Sequence, residues 1–291
     1  MPDCGLSFFS DVQWITAVLP IIEIGEVQCL EHTLESRSSK LFIPGTLDLL
    51  REFSKLGKLI GHSLDFPLLS AVETSKSEES FFKHYRSFSN EGLQYSQLSA
   101  HYGFVQSERF KSGAPLPMPL CESLEEHLLQ QLKNLSKGLK CPAGLENLAL
   151  CTSAKEALLM GPFFNRVLSK VPKSFLLLDL HNIFCTALNY KIPIQELIET
   201  YPLDRVTEIH ISGGSESHTD HPLGKFRRDS HDSAVPPEVF QALADVLPKL
   251  KNLKFIVLEQ LPQNLRKKEE QAQFQADFKT MRKVVANHER K

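Results

Sequence analysis

The sequence predicts an α/β protein: a single (β/α)8 barrel spanning residues 1–291. Three observations point there. Short β-rich runs alternate with longer amphipathic stretches, eight times over. Parallel strands need long crossovers, and the stretches between the runs are long enough to be helices. The length of 291 residues suits one barrel of about 250 residues with loop insertions. An open doubly wound sheet is the chief alternative, but no Gly-x-Gly-x-x-Gly follows the first run to favour dinucleotide binding.

The elements follow in order. The first run is 4–9, and a helix starts after Asp11 as N-cap and reaches about Leu19, where Pro20 should end or kink it. The second run, 27–32, precedes a helix over 44–56 with Leu49, Leu50, Phe53 and Leu56 on one face and Gly57 as its stop. The third run, 58–62, is followed by helical residues 77–89, and the fourth is 95–101. Residues 105–119, with three prolines, read as a long loop. A helix then covers 123–137, where Ser123 and Glu126 have capping-box spacing. The fifth run (143–147) leads to a helix over 154–169, and the sixth (174–179) to one over 193–200. The seventh (205–211) leads through a polar loop, 212–232, to a helix over 237–247. The eighth is 253–259, and a charged helix follows from about Arg266.

Composition excludes several classes. Hydrophobic residues make up 42% and charged residues 23%, as in ordinary globular proteins, so wholesale disorder and fibrous repeats are out. A formal charge of -2 gives no basic field for nucleic acid or an anionic membrane, so neither is expected as a partner. No apolar stretch is long enough to span a bilayer, and no signal peptide is visible. The six cysteines form no Cys-x-x-Cys pair and look scattered, which makes a reducing cytoplasm the expected location.

Buried barrel strands should be apolar almost throughout. Here the exceptions share a position: His62, His101, Glu146, Asp179, His210 and Glu259 stand at or near the C-terminal ends of the third to eighth runs. Those ends converge on one mouth, where barrels of this kind place their active sites. Several carboxylates in one mouth are costly unless cations compensate. A His/Asp/Glu set without cysteine suits Fe, Mn, Zn or Co. Asn182 follows Asp179 closely, and the loop after the seventh run carries Asp229-Ser-His231, which in an extended segment would put both side chains on one side. Octahedral metals take about six ligands each, so nine candidates suggest two or three metals with bridging carboxylates. His218 and His221 read as solvated loop histidines, and His32, His84, His127 and His288 show no partner in the pattern. Glu31 and His32 end the second run and could do no more than support a ligand.

These residues carry a resemblance. The run from Phe175 to Asn189, with Gly144-Leu-Glu-Asn147, Glu208-Ile-His-Ile-Ser-Gly213, Asp229-Ser-His-Asp232 before Val235-Pro236, Val257-Leu-Glu259, Ser99-Ala-His101 and Gly61-His62, resembles the multinuclear non-haem iron-dependent oxidative enzymes of the MbnB/TglH/ChrH family. The matches keep their order over nearly the whole chain. The resemblance implies a bacterial, xylose-isomerase-like barrel holding two or three irons on the nine residues above, with dioxygen as co-substrate. It implies oxidative modification of a cysteine-containing, ribosomally made peptide, and a small partner protein that presents the leader. In that picture Glu146, Asp179, His210 and Glu259 hold one iron. His62 and His101, with Glu146 as a bridge, hold a second, and Asn182, Asp229 and His231 hold a third. Asn147 and Asp232 would orient ligands. The chain departs from the family at His181, where Asn is usual, at Gly213-Gly214, where Gly-His is frequent, and in the bulky segment 63–69. His181 is thus an extra ligand, a proton donor or a surface residue. The competing readings are a redox-neutral divalent-metal barrel (a sugar isomerase, or a phosphodiesterase resembling endonuclease IV) and a non-catalytic peptide binder.

Overall fold

A computed structural model describes residues 1–34, 42–64, 66–70, 74–106, 111–217 and 224–289. Eight parallel strands close into a barrel in the order β1 (Asp3–Phe8), β2 (Cys29–Leu34), β3 (Leu59–Ser63), β5 (Leu98–His101), β8 (Ala143–Glu146), β9 (Phe175–Asp179), β10 (Val206–Ile211) and β11 (Phe255–Leu258), with β11 pairing back to β1. These are the eight runs expected from the sequence. Helices α1 (Val12–Glu23), α2 (Thr46–Lys55), α3 (Ser75–Asn90), α4 (Glu122–Gly138), α5 (Ala154–Leu168), α6 (Leu180–Tyr190), α7 (Ile194–Thr200), α8 (Pro237–Val246) and α9 (Lys268–Glu289) supply the crossovers and close the outer ring.

The large apolar cluster lies between strands and helices, with Trp14, Phe163, Phe164 and Phe278 among its buried members. Inside the barrel a small apolar layer of Cys29, Ile60, Phe255 and Val257 forms its own cluster. Side chains alternate along a strand, so the residues two positions further on (Glu31, His62, Val257 again and Glu259) point into the same interior, nearer the mouth. Glycine makes room in this crowded bore. A Cβ on Gly144 would stand 2.4 Å from the Phe175 ring.

Four expectations need correction. Helix α1 does not end at Pro20 but runs to Glu23. The carbonyl that Pro20 frees belongs to Thr16, and both residues are exposed, so water can satisfy it while Trp14, Ala17, Val18 and Ile21 anchor the buried face. Helix α4 starts at Glu122 after Cys121, so Ser123 lies inside the first turn and makes no capping box. Residues 105–119 are not all loop: β6 (Phe104–Gln106) pairs antiparallel with β7 (Lys111–Leu116) and parallel with β4 (Leu69–Ser70) in a small sheet above the mouth. Prolines and glycines fit such short edges, which lack a full ladder. The first helix after the sixth run is not the expected one over 193–200: α6 follows β9 directly, where the sequence pattern shows no break, and α7 comes after it.

Candidate metal centre

Strand register assembles the site. His62 is in register with Ser99, His101 with Glu146, and His210 with Asp179. Register partners face the same side of the sheet, so each pair points into the bore. His62 Nε2 and His101 Nε2 are 3.3 Å apart and lie 3.3 and 2.8 Å from Glu146 Oε2. His210 Nδ1 is 3.1 Å from Glu259 Oε2 and 4.0 Å from Glu146 Oε1. His231 Nε2 is 2.8 Å from Asp229 Oδ1 and 3.7 Å from Glu259 Oε2. Asn182 Nδ2 approaches Glu146 Oε1 at 3.5 Å. Among the described residues, His62, His101 and Glu146 form one set of donor atoms within 4.8 Å of one another, and Glu146, Asp179 and His210 form another. All nine candidates therefore lie in one connected cluster.

Asp179 has two duties. As N-cap of α6 its Oδ1 accepts the Asn182 backbone N–H at 2.7 Å, which leaves Oδ2 facing the cluster. Asn147 fixes it from the neighbouring strand: Asn147 Nδ2 donates to Asp179 O at 3.0 Å, and Asp179 N donates to Asn147 Oδ1 at 2.8 Å. His181 is fully buried, with Nδ1 3.1 Å from Asp229 Oδ1. Asp232 sits outside the cluster and accepts from Ser215 and Ser230, both at 2.8 Å, bracing the loop. The Asp229-x-His231 segment is not extended, because His231 has φ 49; a turn, not strand alternation, brings the two side chains together. His218 and His221 lie outside the described residues.

The donor set fits a metal. Buried Glu146 Oε2, Asp179 Oδ2, Asn182 Oδ1, His210 Nδ1 and His231 Nε2 make no well-aligned hydrogen bond among the described residues, although three of them have an imidazole or carboxylate within 3.1 Å. Each such atom costs about 1–3 kcal/mol, and five facing one another point to a shared cationic partner. Charge says the same. Burial, then Asp229, Glu146 and Glu259, push the Asp179 carboxyl well above its ordinary range. Burial lowers the basicity of His231, but Asp229 and Glu259 outweigh it and lift the imidazole to about 10. Neutral imidazole, carboxylate and amide oxygen match a borderline or hard transition metal rather than a soft one.

Of the polar layer beneath the cluster, Glu31 stands out in the sequence as a residue that could support a ligand, whereas Ser7, Gln97 and Glu208 do not. Glu31 Oε2 lies 2.7 Å from His210 Nε2, and Ser7 Oγ bonds Glu31 Oε1 at 2.7 Å. Glu208 Oε1 is 3.4 Å from the same His210 nitrogen, and Gln97 Nε2 donates to Glu208 Oε2 at 2.8 Å. The signal was alternation: Glu208 shares the inward parity of His210, and Ser99 that of His101. His32 instead lies outside the bore, with Nδ1 2.8 Å from the Tyr95 hydroxyl.

The strand ends without candidates, β1 and β2, line a cavity of about 380 Å³ with Phe8, Phe9, His32 and Phe42 on its walls and Arg266 at its rim. Its far wall is tied to the cluster, since Leu261 N and Asn264 Nδ2 both donate to His231 O.

The family described as "RiPP precursor modification enzyme MbnB/TglH/ChrH" matches residues 42–276. The chain belongs to this family. A "UPF0276 protein" of Paraburkholderia phytofirmans is 30% identical over 135 residues, covering 46% of this chain and 44% of the relative. One from Caulobacter vibrioides is 28% identical over 144 residues, 49% of each chain. The chain spans about half the length of the curated relatives it matches. A xylose isomerase domain protein from Planctomyces limnophilus superposes with TM-score 0.61 at 14% identity, covering 98% of this chain and 99% of that one. An L-ribulose 3-epimerase gives TM-score 0.61 at 12% identity over 100% of this chain and 96% of its own. At such identities these neighbours bear out the xylose-isomerase-like barrel alone.

Proposed function

We propose that the protein is a multinuclear iron-dependent enzyme that uses dioxygen to modify a cysteine in a ribosomally made peptide. The observation that carries this reading is the cluster of five buried donor atoms without a well-aligned hydrogen bond at the mouth of a barrel of this family. His62, His101 and Glu146 would hold one iron; Glu146, Asp179, His210 and Glu259 a second; Asn182, Asp229 and His231 a third. Iron there supplies dioxygen activation and favours ligation of a substrate thiolate.

The chain's own groups set the stage. Ser99 Oγ lies 2.8 Å from His62 Nδ1 and is itself 3.5 Å from Gly61 O; donating to that carbonyl, it accepts a hydrogen bond from Nδ1–H and leaves the Nε2 lone pair toward the cluster. Glu31 does the same for His210 from the opposite nitrogen, freeing Nδ1. Asn147 locks the backbone that carries Asp179. The cavity over β1 and β2 offers the peptide an entry sector free of ligands, with aromatic walls for an apolar side chain and the Arg266 guanidinium for a carboxylate. A small partner protein presents the leader.

The test is direct. Protein purified after aerobic expression in iron-rich medium is assayed for metal content. It is then mixed with dioxygen and a cysteine-bearing precursor peptide encoded beside its gene, and the peptide's mass change is read. Two or three irons per chain and a mass change that needs both iron and dioxygen are expected. Full zinc occupancy with sugar epimerisation or phosphodiester cleavage would replace this reading by the redox-neutral one.

A further inference from the structure

His181 sits in a space that the backbone keeps open for it. Its side chain is completely buried, and Nδ1 stands 3.1 Å from Asp229 Oδ1, the same oxygen that His231 Nε2 approaches at 2.8 Å. The ring lies against the loop that follows β10. A Cβ on Gly214 would fall 2.8 Å from His181 Cε1 and 2.1 Å from Arg228 O. No side chain fits at 214 without displacing the Arg228 backbone and pressing on the imidazole. One turn along α6, Cys185 Sγ packs against the imidazole, 3.7 Å from Nε2 and 4.0 Å from Nδ1.

We propose that His181 is a positioning residue for Asp229: Nδ1–H donates to the carboxylate and holds it against His231, and Gly214 is the void that admits the ring. The inference rests on reading Asp229 and His231 as a cation-holding pair. One observation separates this role from direct ligation. Its Nδ1 points at a carboxylate oxygen, the geometry of a donor that orients a ligand. The Ser212 hydroxyl, 3.4 Å from Asp229 Oδ1, and His231 Nε2 at 2.8 Å are the other contacts on that oxygen, so loss of His181 removes one of three restraints on the carboxylate's orientation.

The experiment compares wild type, His181→Ala, His181→Gln and Gly214→Ala in two readouts. Iron titration should show the weakest site of His181→Ala and Gly214→Ala binding about 10–100-fold less tightly, with the other iron retained, and His181→Gln, whose amide can donate, recovering part of the loss. Crystals of metal-free wild type and His181→Ala report the Asp229 carboxylate directly. The carboxylate should take a different position in the variant from the one it holds in the wild type. If Gly214→Ala does not fold, the two His181 variants suffice. Should the wild type bind no iron, the proposed function fails, and the position of Asp229 in the metal-free crystals still decides this inference. An unmoved Asp229 in His181→Ala, or equal iron affinity at every site, overturns it.

Discussion

Glu31 and His210 meet across the bore of the barrel, His210 Nε2 donating to Glu31 Oε2 at 2.7 Å although the two residues lie 179 positions apart in the chain. The contact settles which imidazole nitrogen faces the candidate metal centre. With Nε2 carrying the proton, the Nδ1 lone pair is turned to Glu259 and Glu146. Glu31→Ala should therefore weaken iron binding about 10–100-fold. Equilibrium titration with inductively coupled plasma detection measures this, and unchanged affinity would contradict the assignment.

Asn147 makes a two-point clamp on the backbone of Asp179. Asn147→Ala strands a buried N–H and a buried carbonyl, at a cost of about 1–3 kcal/mol of stability. Denaturant unfolding of the metal-free protein should show that loss. Metal-loaded samples should in addition bind iron less tightly, because Asp179 Oδ2 is no longer aimed.

Arg266 makes no ion pair among the described residues and stands at the rim of the cavity over β1 and β2. Arg266→Glu should raise KM for a peptide with an acidic residue beside its cysteine by about fivefold, the scale of one exposed charge pair, and leave kcat at saturation unchanged. Steady-state kinetics at two salt concentrations check this. Equal KM values would place the peptide elsewhere on the mouth.

His32 gives a pH signature separate from the cluster. Burial first, then His84, holds its imidazole down to about 3, among Phe88, Tyr95 and Phe8. The folded state thus binds this proton less readily than the unfolded chain, whose histidine titrates near 6.5. Its contribution to stability is complete above about pH 6.5 and is lost progressively as pH falls toward 3. Between pH 7 and pH 5 the loss from this residue is about 2 kcal/mol. His32→Phe should remove that part of the acid sensitivity in chemical denaturation. Parallel pH profiles for variant and wild type would show that His32 is not the source.

Much of the architecture was readable because barrel strands announce themselves. The run ending in Asp179 is apolar up to one acid, and the same break recurs at His62, His101, Glu146, His210 and Glu259. What stayed hidden depends on neighbours distant in sequence. Glu31 and Glu208 share the parity of ligands, but only strand register reveals that both meet His210. Helix α6 begins on the last residue of β9, so no turn residue marks its start. Pro20 is tolerated because it faces water, a fact of packing that local sequence does not carry. The Asp229–His231 pair was found for the wrong geometric reason, since a left-handed His231 replaces the extended segment.

The Ser7 hydroxyl lies 3.0 Å from Glu259 Oε1, joining the first strand to the last across 252 positions. It stands at the seam where the cylinder shuts. The candidate donors are spread over six of the eight staves, so no short fragment of the chain holds the whole set in place before that seam closes. Ion uptake should consequently be late in folding and all-or-none, and the captured ion would act as a rivet that slows reopening at the β1–β11 junction.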